Sequence, residues 1–139
     1  MTTTITPNKA TVIRFNREVV EQGNLATFHE LVAPDCINHS APAGAPSGPD
    51  SMVYFLFHLF RKAFTDIKVI IHQQVEENDL VVTYKSFEAI HSGEFDGIPP
   101  SHEKVTIKVM DMIRLRNGRY VEHWGVTNLF EVVAAARAV

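Results

Sequence analysis

Residues 104–128 read KVTIKVMDMIRLR-NG-RYVEHWGVTN, and this stretch decides the fold. Val105, Ile107, Val109, Asp111, Ile113 and Leu115 alternate with Thr106, Lys108, Met110, Met112 and Arg114. Alternation at a period of two predicts a strand over Lys104 to Arg116 with one buried face. Asn117-Gly118 predicts a two-residue hairpin turn, because both central positions of a type I′ turn need positive φ. A second strand then runs from Arg119 to about Asn128.

The period stays at two upstream of this hairpin. Ile67 to Val75 and Leu80 to Ile90 read as strands joined by the polar turn Glu76-Glu77-Asn78-Asp79, and a loop with Gly93, Gly97 and Pro99-Pro100 covers 92–102. The N-terminal third has helical spacing instead. Thr6-Pro7 suits a helix start, with Val12, Phe15 and Val19 on one stripe and Gly23 at the end. Asn24 can cap a shorter helix whose Leu25, Phe28, Leu31 and Val32 share a face. A short strand, Cys36-Ile37-Asn38-His39, leads into a loop with three prolines and two glycines over 40–49. Pro49 and Asp50 open a third helix, apolar on nearly all sides, which should be buried on most of its surface. The tail Leu129 to Val139 reads as a short helix or a frayed end. Helices followed by a meander of long strands predict an α+β domain with the helices against one face of the sheet.

Composition narrows the function. The chain has 139 residues, 45% of them hydrophobic, enough for one domain over 1–139 with a core and no need of disulfides. A net charge of −3 without a basic patch argues against nucleic acid. The apolar run Met52 to Phe57 is too short to span a bilayer. The single cysteine, Cys36, reads as core and fits a reducing, cytoplasmic compartment. No histidine pair has HxH or HxxxH spacing, so no metal is expected, and no cofactor fingerprint is present.

Asp111 is the informative polar residue. It interrupts an apolar row, and an unpaired carboxylate buried there would cost several kcal/mol. It must be paired, protonated or part of a wet pocket, either as a general base or as a structural carboxylate bonded to a tyrosine, histidine or arginine. His123, Trp124, His39 and Tyr54 are its nearest candidate partners. A regular two-residue hairpin pairs 116 with 119, so Asp111 falls opposite Trp124, with Glu122 on the same face. His123 falls on the opposite face, and a bulge would reverse that assignment. His39 and His91 end strands beside loops, where scaffolds present functional groups, although either would serve equally as a loop anchor.

Three motifs in order carry a family resemblance. His91-Ser92-Gly93-Glu94-Phe95-Asp96-Gly97-Ile98-Pro99-Pro100 resembles the "H-x-G-x-F-x-G-x-P-P" stretch of SnoaL-like ester and polyketide cyclases. Asp111 to Arg119 is similar to their "D-x-x-R-x-x-x-G-K", and Glu122 to Asn128 to their "E-H-W-x-V-x-D". Ile37-Asn38-His39 resembles a strand-end "N-H". The resemblance implies a nuclear transport factor 2-like cone, a curved sheet and helices around an internal pocket, often as a homodimer through the sheet. It implies cofactor-free acid/base chemistry on a small carbonyl-rich molecule. It matches Asp111 to a polar active-site residue of these cyclases and Asn38 to a substrate-contacting asparagine. With the reading of the residues above, the candidates are Asp111, His123 and His39 as catalytic residues, and Asn38, Tyr54, His91, Glu122, Trp124 and Asn128 as substrate contacts. Two positions depart from the pattern: the family's acid/base aspartate is matched by Gly125, and its later aspartate by Asn128. A ligand-binding module, or an isomerase or epoxide hydrolase on the same fold, is the alternative.

Overall fold

The computed structural model describes residues 4–137. Helix α1 (Pro7–Arg14) starts where the Thr6 hydroxyl accepts the Lys9 N–H at 3.2 Å. It continues as a π-helical segment, Phe15–Glu21, which buries Phe15, Asn16, Val19 and Val20. Gly23 ends this run at φ +71°, a conformation in which only glycine is unstrained. A Cβ there would also stand 2.6 Å from Arg61 Nε. That arginine donates to the Val20 and Glu21 carbonyls and so caps the helix end. Asn24 then caps helix α2 (Leu25–Leu31), accepting the Thr27 N–H at 3.0 Å.

Strand β1 (Val32–Asn38) follows without a turn. Helix α3 (Pro49–Val53) widens into a π-helical segment, Tyr54–Phe60, and closes on the single turn α4 (Arg61–Ala63). Strands β2 (Phe64–Glu77), β3 (Leu80–His91), β4 (Lys104–Arg116) and β5 (Arg119–Thr127) form the meander, and helix α5 (Leu129–Arg137) ends it. The sheet order is β1-β5-β4-β3-β2, with β1 parallel to β5 and the other pairs antiparallel. The N-terminal strand thus joins the sheet beside the last one and carries the first two helices across its inner face. Phe15, Phe28 and Phe60 from the helical side share one core with Phe64, Phe87, Ile107, Ile113 and Tyr120 of the sheet. This is the α+β architecture expected from the sequence.

Two strands start earlier than expected, at Phe64 rather than Ile67 and at Val32 rather than Cys36. At both places the chain leaves a helix directly into extended backbone; no glycine or proline marks the change at Phe64, and at Val32 the marker, Pro34, lies two residues inside the strand. Irregular pairing between Thr65 and Lys68, with Asp66 at φ 52°, also masks the period at the start of β2.

The β4–β5 register departs from a regular hairpin. Arg116 pairs with Arg119 and Leu115 with Tyr120, but Arg114 pairs with Glu122, leaving Val121 as an extra residue. Beyond this bulge His123 lies opposite Ile113, Trp124 opposite Met112 and Gly125 opposite Asp111. The expected pairing of Asp111 with Trp124 is therefore corrected by one residue. In a strand that slip turns every side chain to the other face. His123 and Gly125 share the inner face with Asp111, while Glu122 and Trp124 face outward.

Gly23→Ala should lower stability by about 1–2 kcal/mol, because it combines backbone strain with displacement of the Arg61 cap. Urea unfolding measures this; an unchanged midpoint would contradict the assigned helix end.

Candidate active site

The inner face of the sheet carries polar groups in an otherwise apolar wall. Asp111 is 7% exposed, and Lys85, on the neighbouring strand, 4%. Lys85 Nζ donates to Asp111 Oδ2 at 2.7 Å and to Asn16 Oδ1 at 2.8 Å. Asn16 is oriented in turn by donating from Nδ2 to the Val12 carbonyl at 2.9 Å. The compensating partner of Asp111 is thus Lys85, not the histidine, tryptophan or tyrosine expected from the sequence. The signal for it was present, since Lys85 interrupts Val81-Thr83-Lys85-Phe87-Ala89 as Asp111 interrupts its own row. Asp111 Oδ1 is buried and has no hydrogen-bond partner among the described residues. Tyr120, buried and stacked on Phe15 at 4.7 Å, is held well above the ordinary phenol range by burial and then by the Asp111 charge.

His123 approaches from β5. Its Nδ1 lies 2.8 Å from Asn38 Oδ1. Asn38, 8% exposed at the end of β1, donates from Nδ2 to Ser51 Oγ at 3.1 Å. Burial lowers the His123 pKa below the ordinary imidazole value; Asp111 opposes that shift, and Lys85 and His39 add to it. The His123 ring edge lies over Gly125: a Cβ there would crowd His123 Nε2 at 3.3 Å and meet Asp111 Cβ at 3.7 Å, so the imidazole takes the room a side chain would need. The loop after β1 is fastened at the same place, because Ser40 Oγ accepts the Gly125 N–H at 2.7 Å.

The remaining candidates lie elsewhere. His39 stacks on Trp124 at 4.5 Å and bonds Glu122 at 2.8 Å, on the outer face. Glu122 also takes Arg114 Nε at 2.7 Å, and the two partners hold its carboxylate below the ordinary range. Tyr54 is exposed beside His58. His91 is fully buried against Phe64, with burial lowering its pKa, and its Nδ1 accepts the Ser101 N–H. Asn128 extends the β4–β5 ladder by accepting the Lys108 N–H at 2.8 Å.

Two open hollows of the described surface, about 320 and 270 Å³, touch none of Asp111, His123 or Asn38. The first lies over Lys68, Glu88 and Lys104, and the second between the start of α1 and β2. Both are open and neither gathers a reactive set of groups, so chemistry locates the site better than volume does. Among the described residues no three His, Cys, Asp or Glu side chains are grouped to hold a metal. The inner cluster offers one imidazole, one carboxylate and one ammonium, which suits proton transfer and the stabilisation of a developing charge.

A match to the family of SnoaL-like polyketide cyclases covers residues 10–136. IdmH of Streptomyces antibioticus, a candidate polyketide cyclase, is 28% identical over 95% of this chain and 99% of its own, with a TM-score of 0.81. A candidate SnoaL-like polyketide cyclase of Jannaschia sp. CCS1 is 27% identical over 100% and 98%, with a TM-score of 0.82. AclR of Streptomyces galilaeus, a candidate hydroxylase, shares the fold at 23% identity over 98% and 99%, with a TM-score of 0.83. No curated protein matches the chain.

Two outcomes follow from the buried groups. Asp111→Asn leaves the Lys85 ammonium without its counter-ion and should cost about 3–5 kcal/mol, whereas Asp111→Leu combined with Lys85→Met should cost far less. Equal losses in urea would refute the ion pair. His123 and His91 bind protons less readily folded than unfolded. Stability should therefore be complete above the ordinary imidazole value of about 6.5 and fall as pH drops below it, towards the lowered folded values. A urea midpoint that does not change between about pH 7.5 and 5 would contradict their burial.

Proposed function

The chain belongs to the SnoaL-like polyketide cyclase family, and from that membership we propose that it catalyses a cofactor-free, proton-transfer ring closure of a small carbonyl compound. One observation carries this reading: the bulge at Val121 turns His123 onto the inner face beside Asp111, in front of a residue without a side chain, Gly125. His123, kept neutral by burial, removes a proton from the carbon next to a carbonyl. The resulting enolate attacks a second carbonyl of the same molecule, forming the carbon–carbon bond. The imidazolium then returns its proton to the new alkoxide, so no external reagent is consumed. The Asp111 charge favours the imidazolium while it lasts.

This reading also revises the role of Asp111. Bound to Lys85, it serves electrostatics and orientation, and His123 becomes the proton acceptor. His39, on the other face, is set aside as its partner. We also propose that a second copy covers the outer face, where Ile37, Met110 and Val126 are 44%, 46% and 70% exposed. Light scattering should give a dimer at micromolar concentration; a monomer would contradict this.

The chemistry is tested with 1,5-diketones, which close by intramolecular aldol addition, followed by product absorbance and by deuterium uptake from D₂O at the α-carbon. His123→Gln should fold normally and lose roughly 10²- to 10⁴-fold in rate, the usual worth of a general base. A variant with the wild-type rate would eliminate His123 as the base.

A further inference from the structure

An imidazole can act as a base only through the nitrogen that lacks a proton, and its surroundings decide which nitrogen that is. For His123 the deciding group is the Asn38 amide. The backbone N–H of Ser40 points at Asn38 Oδ1 at 3.1 Å, and an N–H can only donate, so that atom is the carbonyl oxygen. The other end, Nδ2, then donates to Ser51 Oγ, whose own hydroxyl donates to the Gly48 carbonyl at 2.6 Å. Each of these contacts then joins a donor to an acceptor, and the reversed amide would set two donors against each other at Ser40. With Oδ1 so fixed, the atom 2.8 Å away, His123 Nδ1, must carry the proton. The lone pair is left on Nε2, at the edge of the ring that lies over Gly125.

We propose that Asn38 is a positioning residue that locks His123 in the Nδ1–H tautomer and thereby makes Nε2 the basic atom. The proposal refines the function proposed above for the same histidine, but it does not depend on the reaction. Asn38 also ties this setting to the loop that follows β1. Its backbone N–H bonds the Ser47 carbonyl at 2.6 Å and its side chain takes Ser40 N–H, so one residue holds both ends of the loop. Ser40 Oγ in turn bonds both the N–H and the carbonyl of Gly125, on the strand that carries His123. A loop that leaves its seat releases the Asn38 amide and, with it, the tautomer.

The lock is read directly by long-range ¹H–¹⁵N spectroscopy of the imidazoles in the wild-type protein at about pH 7.5, where His123 is neutral, with His123→Gln identifying its signals. The expected pattern is a protonated Nδ1 and an unprotonated Nε2. Asn38→Leu should release the ring to a mixture or to the Nε2–H form. Asn38→Asp should keep Nδ1–H and move the titration midpoint of His123 upward, since a carboxylate at this position joins Asp111 in favouring the imidazolium against Lys85 and His39. If the leucine variant fails to fold, the wild-type spectrum and the aspartate variant still decide the matter. An Nε2–H pattern in the wild type, or an unmoved midpoint in Asn38→Asp, would overturn the assignment. If the Nδ1–H pattern is found and diketone turnover ignores His123→Gln, the proposed reaction fails and the Asn38 assignment stands.

Discussion

One extra residue, Val121, determines which side chains of the last strand face the helices. A strand has a period of two, so an inserted residue exchanges its two faces beyond the insertion. Before the bulge, Tyr120 lies opposite Leu115 and fills the core against Phe15. After it, His123 and Gly125 continue the inner row that Tyr120 began, and Glu122 and Trp124 go to the outer face. Without the bulge Tyr120 would still be buried, but the inner face would receive Glu122 and Trp124 beside Asp111. A second glutamate next to a buried aspartate would need another cation, and Lys85 is already shared between Asp111 and Asn16. On the outer face, Glu122 has Arg114 and His39 within 2.8 Å. The bulged register therefore agrees with the charges on both faces.

The inner polar cluster is costly in stability terms, and this is informative. A buried ion pair seldom improves on apolar residues of the same volume. Lys85, Asp111 and Asn16 occupy a mostly apolar wall, with the Lys85 ammonium 5.3 Å from the centre of the Phe87 ring. One oxygen of Asp111 has no partner among the described residues. Such arrangements occur where a protein needs charge in a place that water does not reach. The histidine beside it is neutral for the same reason that the ion pair is costly: the surroundings disfavour charge that lacks a partner.

Much of this was legible in the sequence. The alternation of β4, the Asn117-Gly118 turn and the caps at Thr6 and Asn24 identify their elements because each depends on neighbours in the chain. Asp111 stood out for the same reason. Lys85 and Asn16 could have been found by the rule that singled out Asp111, the polar residue interrupting an apolar row or stripe. The bulge was not legible, since Tyr120-Val121-Glu122 contains no glycine or other backbone marker, and only the packing of Tyr120 on one side and His123 on the other requires it. Nor was the parallel pairing of β1 with β5 legible, and that pairing is what brings Asn38 beside His123. The open alternatives for His39, Glu122 and Trp124 are resolved as one outer cluster by this long-range pairing.

The central claim is that the register of β5 places His123 on the face of Asp111. Cross-strand nuclear Overhauser contacts along the β4–β5 backbone measure that register residue by residue. Contacts that pair His123 with Ile113 and Gly125 with Asp111 are the predicted result. Contacts that pair His123 with Met112 and Trp124 with Asp111, the regular hairpin register, would turn His123 to the outer face and contradict the account.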